Sequence, residues 1–323
     1  MKTLLRRLVD RALARDALMS MLVVPGAYLL RKYRDTGSQC YPRTTARLRK
    51  IGVFPITNHY YEPLFDDRLL ERPLALQRPL PGIDLNIDGQ LALLGELARA
   101  DELRQANFAG PRASELDFRL DNGSFGEGDA DFLYQILRWL KPAKIVEVGS
   151  GHSTKVARLA LECNRAETGV AAVHVCIEPY EQPWLEKLGG VSVVRSRVEH
   201  CSIDWANELA PGDLLFIDSS HMIRPQGDVL EEYLSILPRL RAGVYVHVHD
   251  VFTPRDYPRA WVVDDVKFWN EQYLLEALLT DTDRYEVVAA LNHLKHEHYD
   301  ALARVCPYLE AGSEPGSFYL RTK

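Results

Sequence analysis

From residue 144 onward the chain alternates short, β-branched, mostly apolar runs with longer stretches of helical spacing. The runs fall at 144–148, 172–178, 191–195, 213–218 and 243–249. Their length and composition mark strands buried within a parallel sheet. A helical segment follows at once at 153–165, and others separate the later runs. Strand and helix in repeated alternation predict an α/β fold with a sheet covered on both faces. YEVVAALNHL (285–294) and SFYLRTK (317–323) read as two more strands with no helix between them. Upstream, residues 85–104 space Leu91, Leu93, Leu94, Leu97 and Leu103 as one helix. In DNGSFGEGDADFLYQILRWL (121–140), Asp129 is placed to cap a helix whose apolar face is Phe132, Leu133, Ile136, Leu137 and Leu140.

The periodicity changes character near residue 110. Residues 37–90 are rich in Pro, Arg and Tyr, with turn signals at Tyr41-Pro42, Arg72-Pro73 and Pro79-Leu80-Pro81-Gly82. The organisation expected is a basic N-terminal extension and cap over 1–110 and one large α/β domain over 111–323. A chain of 323 residues with 46% hydrophobic residues is long enough for that large domain plus an appendage.

Charge changes the picture for the extension. Residues 1–50 hold twelve Lys/Arg against three Asp, a balance of +9, which subtracted from the net −6 leaves −15 on the rest. The overall acidity speaks against a nucleic-acid partner. Within the basic arm lies ALMSMLVVPGAYLL (17–30), flanked by Arg15 and by Arg31, Lys32 and Arg34. Fourteen residues interrupted by Pro25-Gly26 fall short of the roughly 20 that span a bilayer. No clear small-residue cleavage site follows the apolar run, against a signal peptide. Two readings stand: a helix that caps the main domain, or a peripheral contact of residues 1–34 with anionic lipid. Five unevenly spaced cysteines (40, 163, 176, 201, 306) form no metal-knuckle or C-x-x-C spacing. Reduced, mostly buried thiols in a cytoplasmic protein are the expectation.

Candidate chemistry concentrates at the strand ends. KIVEVGSGHS (144–153) delivers Glu147 and a Gly149-Ser150-Gly151 turn to a helix start. Glycines let the backbone pass close beneath a ligand, and the uncovered amides of a helix start favour polar or anionic groups. A phosphate-binding P-loop is excluded because Thr154 precedes Lys155 and Val156 follows it. A dinucleotide fingerprint is disfavoured because Thr154 fills its third glycine position and the next strand-end acid, Glu178, comes late. The fourth run ends in Asp218-Ser219-Ser220-His221 and the fifth in His249-Asp250. Glu147, Glu178, Asp218 and Asp250 thus stand at carboxyl ends of strands, where open α/β sheets bind their ligands. Four acids on one rim repel unless a ligand, metal or cation offsets them.

The E-x-G-x-G pattern (Glu147, Gly149, Gly151) with Glu178 after the second strand resembles class I S-adenosylmethionine (SAM)-dependent methyltransferases. Together with GSFGEGDADFLYQIL, FIDSSH and VHVHDVFTPRDYP, it resembles a bacterial methyltransferase-domain-24 branch over about residues 50–323. The resemblance implies a doubly wound, mostly parallel seven-stranded Rossmann-like sheet whose last strand pair enters antiparallel at the edge. It implies SAM as cofactor, held by Glu147, Gly149, Ser150, Gly151, Glu178 and Asp218, with the ribose hydroxyls on Glu178. The Asp-x-x-His element resembles metal-dependent sugar O-methyltransferases, which places Asp218 on a metal and His221 as the base for an acceptor hydroxyl. The acceptor so implied is a small molecule or a saccharide.

This chain departs from catechol-type relatives, which carry Asp-Asn after strand five where it has Asp250-Val251. His249 is an alternative ligand, and a mixed His/carboxylate set suits Zn²⁺, Mn²⁺ or Fe²⁺ better than Mg²⁺. The metal candidates are Asp218, Asp250 and His249, and a metal-free site stays open beside them. His221 has a second reading as a loop-pinning residue and His249 as an orienter of Asp250. Tyr60-Tyr61-Glu62 and Trp269-Asn270-Glu271 are candidates for the acceptor pocket, while His293, His296 and His298 read as a solvated helix face. The competing functions are a non-catalytic SAM-binding scaffold and, from another class, an NAD-dependent oxidoreductase.

Overall fold

The structure, a computed structural model, describes residues 2–58, 62–111 and 113–323, with side chains from residue 15 onward. It divides into compact units at Met1–Glu71 and Arg72–Lys323. In the first, α1 (Lys2–Thr36) runs continuously through Pro25, and α2 (Pro42–Ile51) follows, closed by Gly52 at φ 85°. Tyr33 is the buried apolar side chain of this unit among the described residues. Its hydroxyl meets Thr45 Oγ1 at 2.6 Å, and its ring packs against Tyr41 and Phe54. Glu62 pairs with Arg34 within this unit. Tyr60 and Tyr61 lie outside the described residues.

The second unit is built on seven strands: β1 (Lys144–Val148), β2 (Val173–Ile177), β3 (Ser192–Val194), β4 (Leu214–Ile217), β5 (Tyr245–Val248), β6 (Tyr285–Ala290) and β7 (Phe318–Thr322). Their order is β3-β2-β1-β4-β5-β7-β6, and β7 alone runs antiparallel to its neighbours. This is the doubly wound, mostly parallel seven-stranded sheet with an antiparallel strand entering at the edge that the resemblance implied. Strand order reverses between β1 and β4, which opens a crevice at their carboxyl ends. Register then sets the site. Val148 pairs with both Ile177 and Ile217, and Ile217 with Val248. Gly149, Glu178, Asp218 and His249, each one residue past its strand, therefore emerge on one level.

The period-two alternation of β4 feeds both cores. Leu214 and Phe216 pack beneath α5 (Asp129–Leu140) and α6 (His152–Thr168), while Leu215 and Ile217 pack with Val229, Tyr233 and Ile236 on the other face. Residues 85–104 form two helices, α3 (Ile87–Glu96) and α4 (Ala100–Ala106), rather than one. The amide of Arg99, in the break, donates to Gln135 Oε1 at 2.9 Å. Leu93, Leu94, Leu97, Leu103 and Phe108, which the sequence grouped with the N-terminal extension, lie in the core of the second unit. The last two strands are not contiguous either, because helices Leu291–Glu297 and Tyr299–Val305 separate them. Leu291 and Leu294 bury on a helical repeat that the preceding strand run had masked.

Candidate active site

The glycine turn after β1 has two different physical demands in it. Gly149 sits at φ 77°, and a Cβ there would lie 1.7 Å from the Asp218 carbonyl oxygen. Its freedom serves the close approach of the β1 and β4 loops. A Cβ on Gly151 would meet nothing nearer than Gln182 Nε2 at 4.0 Å, so that glycine leaves open space over the turn. Glu147, expected among the cofactor contacts, is fully buried behind the turn. Its Oε2 accepts from Thr154 Oγ1 at 2.7 Å and lies 3.0 Å from His174 Nε2 and 3.5 Å from Cys176 Sγ. Thr154 Oγ1 in turn accepts from the Gly151 amide at 3.1 Å. Glu147 is thus an acceptor hub that holds the turn from below and does not reach the cleft.

That cleft has a volume of about 610 Å³, and Gly149, Ser150, Gly151, Glu178 and Asp218 are among the residues that line it. The size suits a small-molecule cofactor. Glu178 Oε1 accepts from the amides of Tyr180 and Glu181, both at 2.8 Å, which aims the carboxylate. Glu199, after β3, also lines the cleft, and its buried Oε2 has no hydrogen-bond partner. Phe125 contributes an aromatic wall. Glu199 carried no motif signal, and Phe125, though within the GSFGEGDADFLYQIL stretch, was not singled out.

Beside the cleft, Asp218, His221, His249 and Asp250 come together as their strand-end positions foretold. One ligand atom each from Asp218, His249 and Asp250 lies within 4.8 Å of the others. His249 Nδ1 is 3.5 Å from Asp218 Oδ1 and 3.4 Å from Asp250 Oδ1, and its Nε2 faces Asp129 Oδ2 at 3.6 Å. His221 Nε2 is 3.3 Å from Asp218 Oδ1 and 3.4 Å from Asp250 Oδ2. Its Nδ1 is 2.8 Å from Glu271 Oε2, and its ring packs on Trp269 with centroids 4.3 Å apart. Burial disfavours both imidazolium ions. For His221, the hydrogen bonds to Asp218 and Glu271 with the charges of Glu271 and Asp250 outweigh it, raising the group well above its ordinary value. The charges of Asp250 and Asp218 do the same for His249. Burial raises Asp250, against the pull of His249 and His221.

Several expectations change here. His221 is buried, lines neither cavity at the site, and has both ring nitrogens against carboxylates. An imidazole so engaged has no nitrogen free for an acceptor hydroxyl. Trp269, Asn270 and Glu271 brace His221 and its loop rather than line the acceptor pocket: the Asn270 amide donates to the His221 carbonyl at 3.0 Å. Asp129 is not the cap of α5; its two carboxylate oxygens accept from the amides of Gly316 and Ser317. The cap role falls to Asp131, which accepts from the Gly128 amide at 2.9 Å. His293 is buried rather than solvated, and the 293–298 histidines form no metal group among the described residues.

A second cavity, about 270 Å³, adjoins on the far side of the cluster. Ser124 lines both cavities; Glu127, Asp129, His249, Asp250 and Trp261 belong to the second. Trp261 is held edge-to-face by Trp269 and Phe252, both at 5.2 Å between centroids, and Lys267 Nζ lies 4.2 Å from its ring. The Asp218–His249–Asp250 cluster therefore stands between a cofactor-sized cleft and a polar pocket with one aromatic wall.

Residues 146–251 match the family described as a methyltransferase domain. No curated protein matches the chain. Among solved structures, CmcI with SAH is 15% identical, covering 69% of this chain and 90% of its own, at a TM-score of 0.37. An O-methyltransferase from Bacillus cereus with SAH is 13% identical, covering 72% and 90%, at 0.33. The Burkholderia thailandensis 1,6-didemethyltoxoflavin-N1-methyltransferase is 11% identical, covering 76% and 92%, at 0.32. At this distance no residue role or substrate passes from them to this chain.

Proposed function

We propose that this chain, whose residues 146–251 match a methyltransferase domain, uses SAM to methylate a hydroxyl oxygen of a small molecule or saccharide. The observation that carries this reading is the Asp218–His249–Asp250 cluster, set between the cofactor cleft and a second polar cavity. Transfer to oxygen needs a metal or base to remove the hydroxyl proton, whereas a scaffold that only bound the cofactor has no use for such a cluster.

The residues of the cleft fit SAM. Gly151 leaves room for it, Glu178 presents a carboxylate already fixed at one oxygen, suited to the ribose diol, and the unpartnered Glu199 Oε2 can accept from an amino group such as that of adenine. When bound, the cofactor supplies a methyl group already activated on sulfonium sulfur. The protein's task is then to align the acceptor and take its proton.

Asp218, His249 and Asp250 fit a divalent ion, and the Asp129 carboxylate faces the other ring nitrogen of His249 at 3.6 Å, on the side where metal-ligating histidines commonly meet an outer carboxylate. Their mixed donor set suits Zn²⁺, Mn²⁺ or Fe²⁺. Such an ion would supply Lewis acidity at the acceptor hydroxyl. His221, fixed by Glu271, is assigned as the positioning residue that holds Asp218 and Asp250 in place. A second, metal-free reading rests on Asp250, which lines the second cavity and is held above the usual carboxylate range by burial; there it takes the hydroxyl proton itself.

In the second cavity, Trp261 offers a flat apolar face for a ring, while Glu127, Asp129, Ser124 and Ser313 offer partners for hydroxyls. Its acidic walls favour neutral or cationic acceptors over phosphorylated or uronic ones. The test incubates the protein and isotopically labelled SAM with neutral, amino and uronic saccharides and with simple phenols, and locates the label by NMR. O-methyl products from neutral or amino acceptors are expected. Transfer only to nitrogen or carbon overturns the assignment.

A further inference from the structure

We propose that α1 seats this protein on an anionic lipid surface by burying residues 17–30 in one leaflet. Eight large apolar side chains in this stretch stand 47–75% exposed: Leu18, Met19, Met21, Leu22, Val23, Val24, Tyr28 and Leu29. A helix that packs on one protein partner shows a single apolar stripe. At about 100° per residue, Leu18, Leu22 and Leu29 occupy one side of α1. Met19 and Val23 occupy a second, and Met21, Val24 and Tyr28 a third. A groove or a second copy of the helix covers one of these sides and leaves the others in water. A leaflet into which the helix sinks covers more than one side at once.

Length and charge set the mode of insertion. Fourteen residues rise about 21 Å, short of the roughly 30 Å hydrocarbon core, and no described helix is long and apolar enough to cross a membrane. Arg15 stands at one end of the stretch, and Arg31 and Lys32 at the other, all exposed. Long basic side chains at both ends keep their charges at the head groups while their stems lie along the apolar surface. The +9 balance of residues 1–50 is complementary to an anionic leaflet, and the −15 balance of the remainder is not. Attraction is therefore confined to this arm.

Flotation of the full chain with vesicles tests the proposal, comparing phosphatidylcholine alone with phosphatidylcholine containing phosphatidylglycerol, at low and high salt. The parent is expected to float with the anionic vesicles, about tenfold or more better than with neutral ones, and to lose that preference at high salt. The double variant Leu22→Asp/Leu29→Asp should lower partitioning at least about tenfold. Arg31→Glu/Lys32→Glu should remove only the preference for anionic lipid. Unchanged SAM binding by calorimetry reports that the catalytic domain of each variant is folded. A parent that does not float, or a double variant that floats equally well, overturns the proposal. A parent dimer that Leu22→Asp/Leu29→Asp dissociates, without vesicle binding by either, overturns it in favour of a second copy.

Discussion

Gly149 and Gly151 look interchangeable in the glycine turn, yet the structure gives them opposite behaviour on substitution by alanine. At Gly149 the left-handed φ of 77° costs an L-residue roughly 1–2 kcal/mol. The new methyl group would also sit 1.7 Å from the Asp218 carbonyl oxygen. The two loops must then part by well over an ångström, which endangers the 2.9 Å bond from the Asp218 amide to the Val148 carbonyl, itself contributing about 1 kcal/mol. Together these make roughly 2–3 kcal/mol, a fall in melting temperature of about 4–12 °C for a domain of this size. At Gly151 the methyl group meets no protein atom nearer than 4.0 Å, so Gly151→Ala should melt within about 2 °C of the parent. It should nevertheless bind SAM about tenfold or more weakly, because the methyl group intrudes on the space left for the ligand. Differential scanning fluorimetry without ligand, paired with titration calorimetry against SAM, separates the two effects. The reasoning fails if Gly149→Ala keeps the parent's melting temperature, or if Gly151→Ala binds SAM as tightly as the parent does.

Further outcomes follow from the same geometry. Glu178→Ala should weaken SAM binding about tenfold, since charge-assisted hydrogen bonds contribute on the order of 1.5–3 kcal/mol; Glu178→Gln, which keeps an oxygen for the Tyr180 and Glu181 amides, should lose less, and equal binding by all three proteins would sink the ribose assignment. EDTA should stop turnover without displacing SAM, and Asp218→Asn should reproduce the defect; full activity in EDTA instead selects the metal-free reading with Asp250 as proton acceptor. Trp261→Ala should raise the KM for the acceptor while leaving the calorimetric affinity for SAM unchanged, and an effect on SAM alone would remove Trp261 from the acceptor cavity.

Much of the fold was legible because strand burial is a local, period-two property. The runs at 144–148, 172–178, 213–218 and 243–249 declared both the sheet and the rim on which Gly149, Glu178, Asp218 and Asp250 stand. Glycine at 149 and 151 was equally plain, but not which of the two serves the chain and which leaves room for a ligand. That distinction depends on the Asp218 carbonyl, 69 residues away, which approaches only because β4 pairs with β1.

The sequence by itself determined the strand–helix alternation, the acids at the strand ends and the basic apolar arm, since each is carried by neighbouring residues. Tertiary structure alone decided how the buried polar groups are partnered. Glu147 turns beneath α6 because it shares a sheet face with His174 and Cys176, one strand over. Asp129 reaches His249, and Glu271 reaches His221, across 120 and 50 residues of chain. No spacing rule encodes those pairs. A carboxylate that caps its own helix and one that braces a distant imidazole look alike in sequence; sheet order and the cost of leaving a buried charge unpaired choose between them.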